Sequence, residues 1–403
     1  MPVNKISSSD VELGMYVAKL DRPWSETPFL FQGFEVKTED EITELQRQSN
    51  DVYIMVPDEI IDIKKPVSSQ DSSIHSSGIL HKISYENKVA AEKEIIAVRR
   101  AHENIALLVT EIESLIKNEE LFRIDNIEKP VEAMVSSIVS NPDAYLWLTR
   151  IRKFDSFIYK DSLSCAVWAT ALGRKMGMEE KDLKTLATGC MLMDVGKLML
   201  PEELLHKQDR LENDEWSQIK SHVELGLSIL EAEQSSTPEI LDIVRTHHER
   251  LDGSGYPNGL HGNQIPLFGQ IAGIVDFYVA VTMPRPFAKV LSPSQAEQML
   301  FEQKDKYFNE ILVDYFIQTL SAYPTGSLVE LNTGEVAIVM AQNDNLHLKP
   351  DVVLLLNKDK QPALVNTIIR LATYCRDDQP VVISRTLKDG DYGINIDEIS
   401  FTA

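Results

Sequence analysis

Two adjacent imidazoles open the run His247-His248-Glu249-Arg250-Leu251-Asp252-Gly253-Ser254-Gly255-Tyr256-Pro257, and no other stretch narrows the fold as far. Imidazole is a common ligand for Fe, Mn and Zn, glycine lets backbone come close to a ligand, and proline fixes a turn. Two histidines on rigid backbone ahead of such a turn read as part of a metal site and point to phosphate chemistry. Paired histidines also occur at helix C-termini, where positive charge meets the helix dipole. The ligand reading needs partners that only a fold can bring in, and Asp194, Lys197, His222 and Asp276 are of the right chemical type.

With their flanks, these residues read Met193-Asp194-Val195-Gly196-Lys197, Ser221-His222-Val223-Glu224-Leu225-Gly226, His247 to Pro257, and Ile274-Val275-Asp276 followed by Arg285-Pro286-Phe287. Over roughly residues 150 to 325 the chain resembles the HD-GYP family, whose members are helical, metal-dependent phosphodiesterases that open cyclic di-GMP. The resemblance implies a mainly α fold with a helical HD-type metal phosphohydrolase domain. It also implies one or two divalent ions, Fe or Mn, and cyclic di-GMP or a related cyclic dinucleotide as ligand.

Two family histidines are replaced: Met193 stands before Asp194, and Asp161 stands before Ser162. The resemblance implies one metal held by Asp194, His222, His247 and His248, all present. A second would share Asp194 and add Asp276 and the two replaced positions. A thioether is a soft, neutral ligand, so Met193, in Cys190-Met191-Leu192-Met193, reads as core filling. Asp161 reads either as a substitute ligand in an oxygen-rich site or as a solvated residue near a helix start. Two-metal centres clamp attacking and leaving oxygens, so a weakened second position should harm hydrolysis more than binding.

Lys197 stands where the resemblance implies a lysine near the scissile phosphate, and Arg285 where it implies a phosphate-gripping arginine; both also suit plain surface charge. Ala288 occupies a position where some relatives carry a second lysine, and Val279 replaces a common aspartate. The Gly255-Tyr256-Pro257 turn is associated in the family with contacts to diguanylate cyclase domains; Tyr256 equally suits an ordinary turn aromatic. Two functional classes follow: a phosphodiesterase for cyclic di-GMP or cyclic GMP-AMP, or a weakly hydrolysing or non-hydrolysing regulator that binds the nucleotide. A decayed copy with neither activity is the third.

The net charge of −22 argues against nucleic-acid polymers and anionic membranes as partners. A small anionic ligand must then be met by local positive charge. Three cysteines, Cys165, Cys190 and Cys375, are too far apart to suggest a disulfide framework or a zinc knuckle. No apolar run approaches the ~18 residues of a membrane span, and the N-terminus lacks a signal peptide's apolar stretch, so a cytoplasmic protein is expected.

Residues 1–62 read as a small α+β module, with strands at Met15-Leu20 and Asp51-Val56 and a helix from Glu39 to Gln48. This region resembles the module that often precedes HD-GYP domains, through Leu13-Gly14-Met15-Tyr16-Val17 and Phe29 to Phe34. Residues 63–84 are Ser-rich and read as a flexible linker. Residues 85–129 read as an amphipathic helical connector, with Ile95, Ile96, Val98, Ile105, Leu107, Leu108, Ile112 and Ile116 spaced either for a homodimer stalk or for packing on its own domain. Residues 130–324 form the helical domain, with His222 expected inside one helix from Trp216 to Glu231. Residues 325–403 read as a short β-rich tail, opening with a hairpin around Thr333-Gly334.

Overall fold

The computed structural model describes residues 3–13, 15–21, 34–36, 38–55, 83–118, 120, 123–151, 157–207, 209, 211–232, 236–283, 290–343, 346, 348–363, 367–376, 379–388 and 390–394. Phe29 to Gly33, most of the Ser-rich stretch and Arg285 lie outside the described residues. The chain divides into two compact units, one of Met1–Ser73 with Leu320–Thr386, the other of Ile74–Thr319 with Leu387–Ala403.

The first unit unites the N-terminal module with most of the C-terminal β-rich region, which the sequence suggests as separate module and tail. Its N-terminal part pairs β1 (Val3–Ser7), β4 (Asp51–Met55), β2 (Tyr16–Leu20) and β3 (Phe34–Glu35) into an antiparallel sheet in that order. Helix α1 (Glu39–Gln48) starts at a capping box, with Thr38 and Glu41 each satisfying the other's backbone N–H. Val11, Val17, Leu20, Val36, Leu45 and Val52 are the core of this part.

The C-terminal part is a five-stranded antiparallel sheet, β11 (Ile383–Thr386), β5 (Leu328–Leu331), β6 (Val336–Ala341), β7 (Asp351–Leu356) and β8 (Ile368–Arg370) in spatial order. A two-stranded ribbon, β9 (Cys375–Arg376) with β10 (Gln379–Pro380), lies beside it in sequence. The expected hairpin is present as β5–β6, with Val329 opposite Ala337. β6 is buried at every position, which its unbroken apolar run requires. An ion pair from Lys349 to Asp40 links the two parts, and burial together with the Glu44 carboxylate pushes the Tyr323 hydroxyl up to about 12. Such long-range pairing leaves no trace in local pattern, which is why the tail reads as separate.

The second unit is helical: α2 (Ala91–Lys117), α3 (Asp125–Ser140), α4 (Pro142–Ile151), α5 (Phe157–Lys175), α6 (Glu180–Leu192), α7 (Glu202–Leu205), α8 (Asn213–Lys220), α9 (His222–Ala232), α10 (Pro238–Thr246), α11 (Leu267–Thr282), α12 (Pro293–Glu302) and α13 (Glu310–Leu320). The connector is not a free stalk. α2 packs on α3 and α4, burying Ile95, Val98, Ile105, Leu108, Ile112 and Ile116, each worth roughly 1.5–3 kcal/mol of transfer free energy. Its buried Glu94 accepts hydrogen bonds from the hydroxyls of Ser137 (2.7 Å) and Ser140 (3.1 Å) on α3. The boundary expected near residue 130 therefore falls inside a packed helical layer.

α5 lies against α6 and α11, and α10 packs on α6, α9 and α11. α11 is apolar almost all round and buried accordingly, with Ile271, Ile274, Val275 and Val279 fully enclosed. Trp168, Tyr278 and Phe316 meet edge to face at 5.2–5.7 Å between ring centres, locking α5, α11 and α13 together. Among the described residues, no helix is long and apolar enough to cross a membrane.

Candidate metal centre

Asp194 follows the end of α6 and heads a short 3-10 turn, Val195–Met199. The turn presses onto the start of α9 because Gly196 has no side chain: a Cβ there would stand 2.0 Å from the carbonyl oxygen of His222. Close backbone approach thus brings Asp194 beside His222. The single helix expected from Trp216 to Glu231 is broken at Ser221, whose hydroxyl donates to the Gln218 carbonyl at 2.7 Å. His222 therefore opens α9, and its Nδ1 bonds to the carbonyl of Ile219 at 2.7 Å. His247 caps the C-terminus of α10, and its Nδ1 bonds to the carbonyl of Val244 at 2.9 Å.

A carbonyl can only accept, so both Nδ1 atoms carry the ring hydrogen, and in the neutral rings both Nε2 atoms are bare lone pairs. Those lone pairs face each other at 3.5 Å. They also face Asp194 Oδ1, at 3.3 Å from His222 and 3.8 Å from His247. Oδ1 is buried and makes no hydrogen bond. With His248, the four residues bring one ligand atom each to within 4.8 Å of one another. Electron pairs converging without a proton between them repel unless a cation sits among them, so the donor set fits a divalent ion. Three imidazoles and a carboxylate suit Fe, Mn or Zn.

The second oxygen of Asp194, Oδ2, pairs with Lys197 Nζ at 2.7 Å. Burial by itself would raise the Asp194 carboxyl; the Lys197 ammonium and then the two imidazoles outweigh it and hold the group well below the usual carboxylate range. Enclosure, reinforced by His247 and His222, pushes His248 well below the ordinary histidine value, which leaves a neutral ring able to ligate.

Asp276, buried on α11, lies outside the four-residue group but places Oδ2 3.6 Å from His248 Nδ1. Asp161 is also outside that group. It is buried on α5, which rules out the solvated alternative: the helix begins at Phe157 and turns this position inward. Met193 is buried as core filling, as its apolar surroundings suggest. Burial raises the Cys165 thiol, four residues after Asp161, well above the usual range, and the charge of Asp276 adds to the shift.

The Gly-rich turn is held from within. Glu249 is buried, and its two carboxylate oxygens accept the backbone N–H groups of Asn258 (2.7 Å) and Leu260 (3.0 Å). Arg250 Nη1 donates to the carbonyls of His247 (3.0 Å) and Glu249 (2.7 Å), with its guanidinium over the Phe308 ring. Gly255 lies so near that a Cβ would stand 2.4 Å from Arg250 N and Glu249 Cα. Tyr256 does not project as a free turn aromatic; its ring stacks on His248 at 4.5 Å, while Pro257 is exposed. Sequence reading passed over Glu249 and Arg250; the signal available was a charged pair directly after two ligands.

The family model described as "HD domain" matches residues 145–311, and one described as a domain of unknown function (DUF3391) matches residues 3–127. The chain carries an HD domain. The "Cyclic di-GMP phosphodiesterase PA4108" of Pseudomonas aeruginosa is 24% identical over 388 residues, 94% of this chain and 91% of that protein. The "3'3'-cGAMP-specific phosphodiesterase 2" of Vibrio cholerae is 33% identical over 154 residues, 38% of this chain and 30% of its own length. Among solved structures, Bd1817, a HDG"Y"P protein from Bdellovibrio bacteriovorus, is matched over 79% of this chain and 99% of its own at 14% identity and a TM-score of 0.46. The HD-GYP resemblance read from the sequence thus stands, as an HD domain behind a DUF3391 region. HD-domain phosphohydrolases depend on metal, and the Asp–His cluster supplies ligands for one.

Proposed function

We propose that the chain is a cyclic dinucleotide-binding signalling protein of the HD-GYP type that holds one divalent ion, Fe or Mn, and hydrolyses cyclic di-GMP weakly or not at all. The observation that carries this reading is the asymmetry of the site: Asp194, His222, His247 and His248 converge, whereas Met193 is core and Asp161 lies outside the group. The naming of relatives as cyclic di-GMP and cGAMP phosphodiesterases supports the ligand class.

When bound, a divalent ion supplies Lewis acidity toward phosphoryl oxygen and lowers the pKa of water. The chain's own residues do the rest. The carbonyls of Ile219 and Val244 orient His222 and His247, and Lys197 fixes Asp194 through Oδ2 while presenting an ammonium to phosphate. Arg285 is assigned a phosphate contact on sequence position alone. The exposed part of the Gly255-Tyr256-Pro257 turn is left as the surface for a diguanylate cyclase domain, since the Tyr256 ring is turned onto His248.

One observation favours the enzyme reading instead. Asp161 is a buried carboxylate on α5, and with Asp194 and Asp276 it would give a second, oxygen-ligated ion such as Mn or Mg three carboxylates to draw on. Metal content per chain, measured with cyclic di-GMP turnover in added Mn and Fe, separates the two. One ion with intact bound nucleotide supports the regulator; two ions with hydrolysis establish the enzyme. The double variant Asp161→His, Met193→His should raise turnover sharply for the regulator, and a wild type already as fast would refute it.

A further inference from the structure

Trp216 and Lys220 stand four residues apart on α8 and so share one helix face. α8 buries none of its residues, and Trp216 is 45% exposed, an unusual position for the largest apolar side chain. Its ring meets Tyr256 edge-on at 6.3 Å and 77°. Tyr256 in turn stacks on His248, so three rings run outward from the metal centre, and the last, Trp216, meets no ring but Tyr256 among the described residues. The Lys220 ammonium lies 5.7 Å from the centre of the Tyr256 ring.

Many lysines of this acidic chain pair with a carboxylate, among them Lys117, Lys184, Lys207 and Lys304. Lys220 has no such partner among the described residues, although the net charge of −22 offers many. An open aromatic face with an unneutralised cation beside it, next to a metal centre, is the combination that takes a nucleotide: a base stacks and a phosphate finds charge.

We propose that Trp216, Tyr256 and Lys220 form a nucleobase wall at the edge of the metal centre, with Trp216 stacking one purine of the cyclic dinucleotide and Lys220 facing its phosphate. The inference rests on the cyclic dinucleotide reading above. It deepens that reading by naming residues that contact the base, and stacking accepts guanine and adenine alike.

The test uses the full chain loaded with Mn, titrated with cyclic di-GMP and with cyclic GMP-AMP by calorimetry and by tryptophan fluorescence. Wild type should bind with quenching. Trp216→Ala should bind roughly 5- to 100-fold more weakly with the quench lost and metal content unchanged, and Trp216→Phe should recover most of the affinity. Lys220→Gln should weaken binding and flatten its salt dependence. A Trp216→Ala variant with wild-type affinity and quenching overturns this inference and leaves the functional reading standing. Loss of metal together with nucleotide would make Trp216 a support of the fold and overturn it equally. A metal-loaded wild type that binds neither nucleotide overturns the functional reading, and this inference with it.

Discussion

On one side of Asp194, the imidazoles of His222 and His247 are each tied through Nδ1 to a carbonyl three residues earlier, so their lone pairs are aimed by backbone that is already fixed. On the other side, Asp161 and Asp276 stand buried on α5 and α11, and Met193, beside Asp194 in sequence, is buried as core. The imidazole half is aimed locally, by bonds to carbonyls three residues away along the chain. The carboxylate half depends on how separate helices pack. A metal site assembled in this way can fail by halves, keeping an ion and a nucleotide while losing the second charge that hydrolysis needs.

The largest effect that would break this comparison is on the imidazole side. His247→Ala should lower metal affinity by at least about 100-fold, since even indirect supports of a metal site cost ~10–100-fold; metal per chain after dialysis reads it, and full retention would mean the ion is held elsewhere. Gly196→Ala comes next. With a Cβ driven against the His222 carbonyl, stability should fall by roughly 1–3 kcal/mol in urea unfolding, and metal should be lost with it. A neutral outcome would show that the close approach of turn and helix is dispensable.

On the carboxylate side, Asp161→Asn sharpens the contrast. One ion per chain should remain in wild type and variant alike, and a fall from two ions to one would restore the carboxylate half as a metal site. The smallest effect is in thiol labelling. Burial, with the Asp276 carboxylate adding to it, pushes both the Cys165 and the Cys190 thiols well up, so both stay protonated thiols. Only the exposed Cys375 should react in the native protein, with no gain in labelled Cys165 or Cys190 as pH rises from 6 to 9. Fast labelling of Cys165 would mean that water enters the carboxylate half.

Where a signal lay within a few residues of its consequence, the sequence was enough. The helix Glu39–Gln48 is found at its expected bounds because the capping box at Thr38 and Glu41 marks its start. The hairpin at Val336 follows from two apolar runs around a Thr-Gly turn. Where the consequence was distant, reading failed. The helix through His222 is split at Ser221, and nothing in the apolar spacing of Ile219, Val223, Leu227 and Leu230 marks the break. The connector's spacing suits a stalk and a packed helix equally, and only the presence of α3 and α4 against it decided the matter. Glu249 looks like surface charge until the N–H groups of Asn258 and Leu260 close on its carboxylate.

By itself the sequence determined the chemical inventory of this protein: which imidazoles and carboxylates are available, and which segments are helix and which strand. These are local properties, set by side-chain type and by periodicity along the chain. The tertiary structure decided which of those groups meet. It brought four candidate ligands within 4.8 Å, left Asp161 outside that group, turned Tyr256 onto His248 and joined the N-terminal module to Leu320–Thr386 in one unit. Distances of this kind depend on packing between segments far apart in sequence, where a missing Cβ at Gly196 or a turned helix face moves a ligand by ångströms while leaving the pattern of residues unchanged.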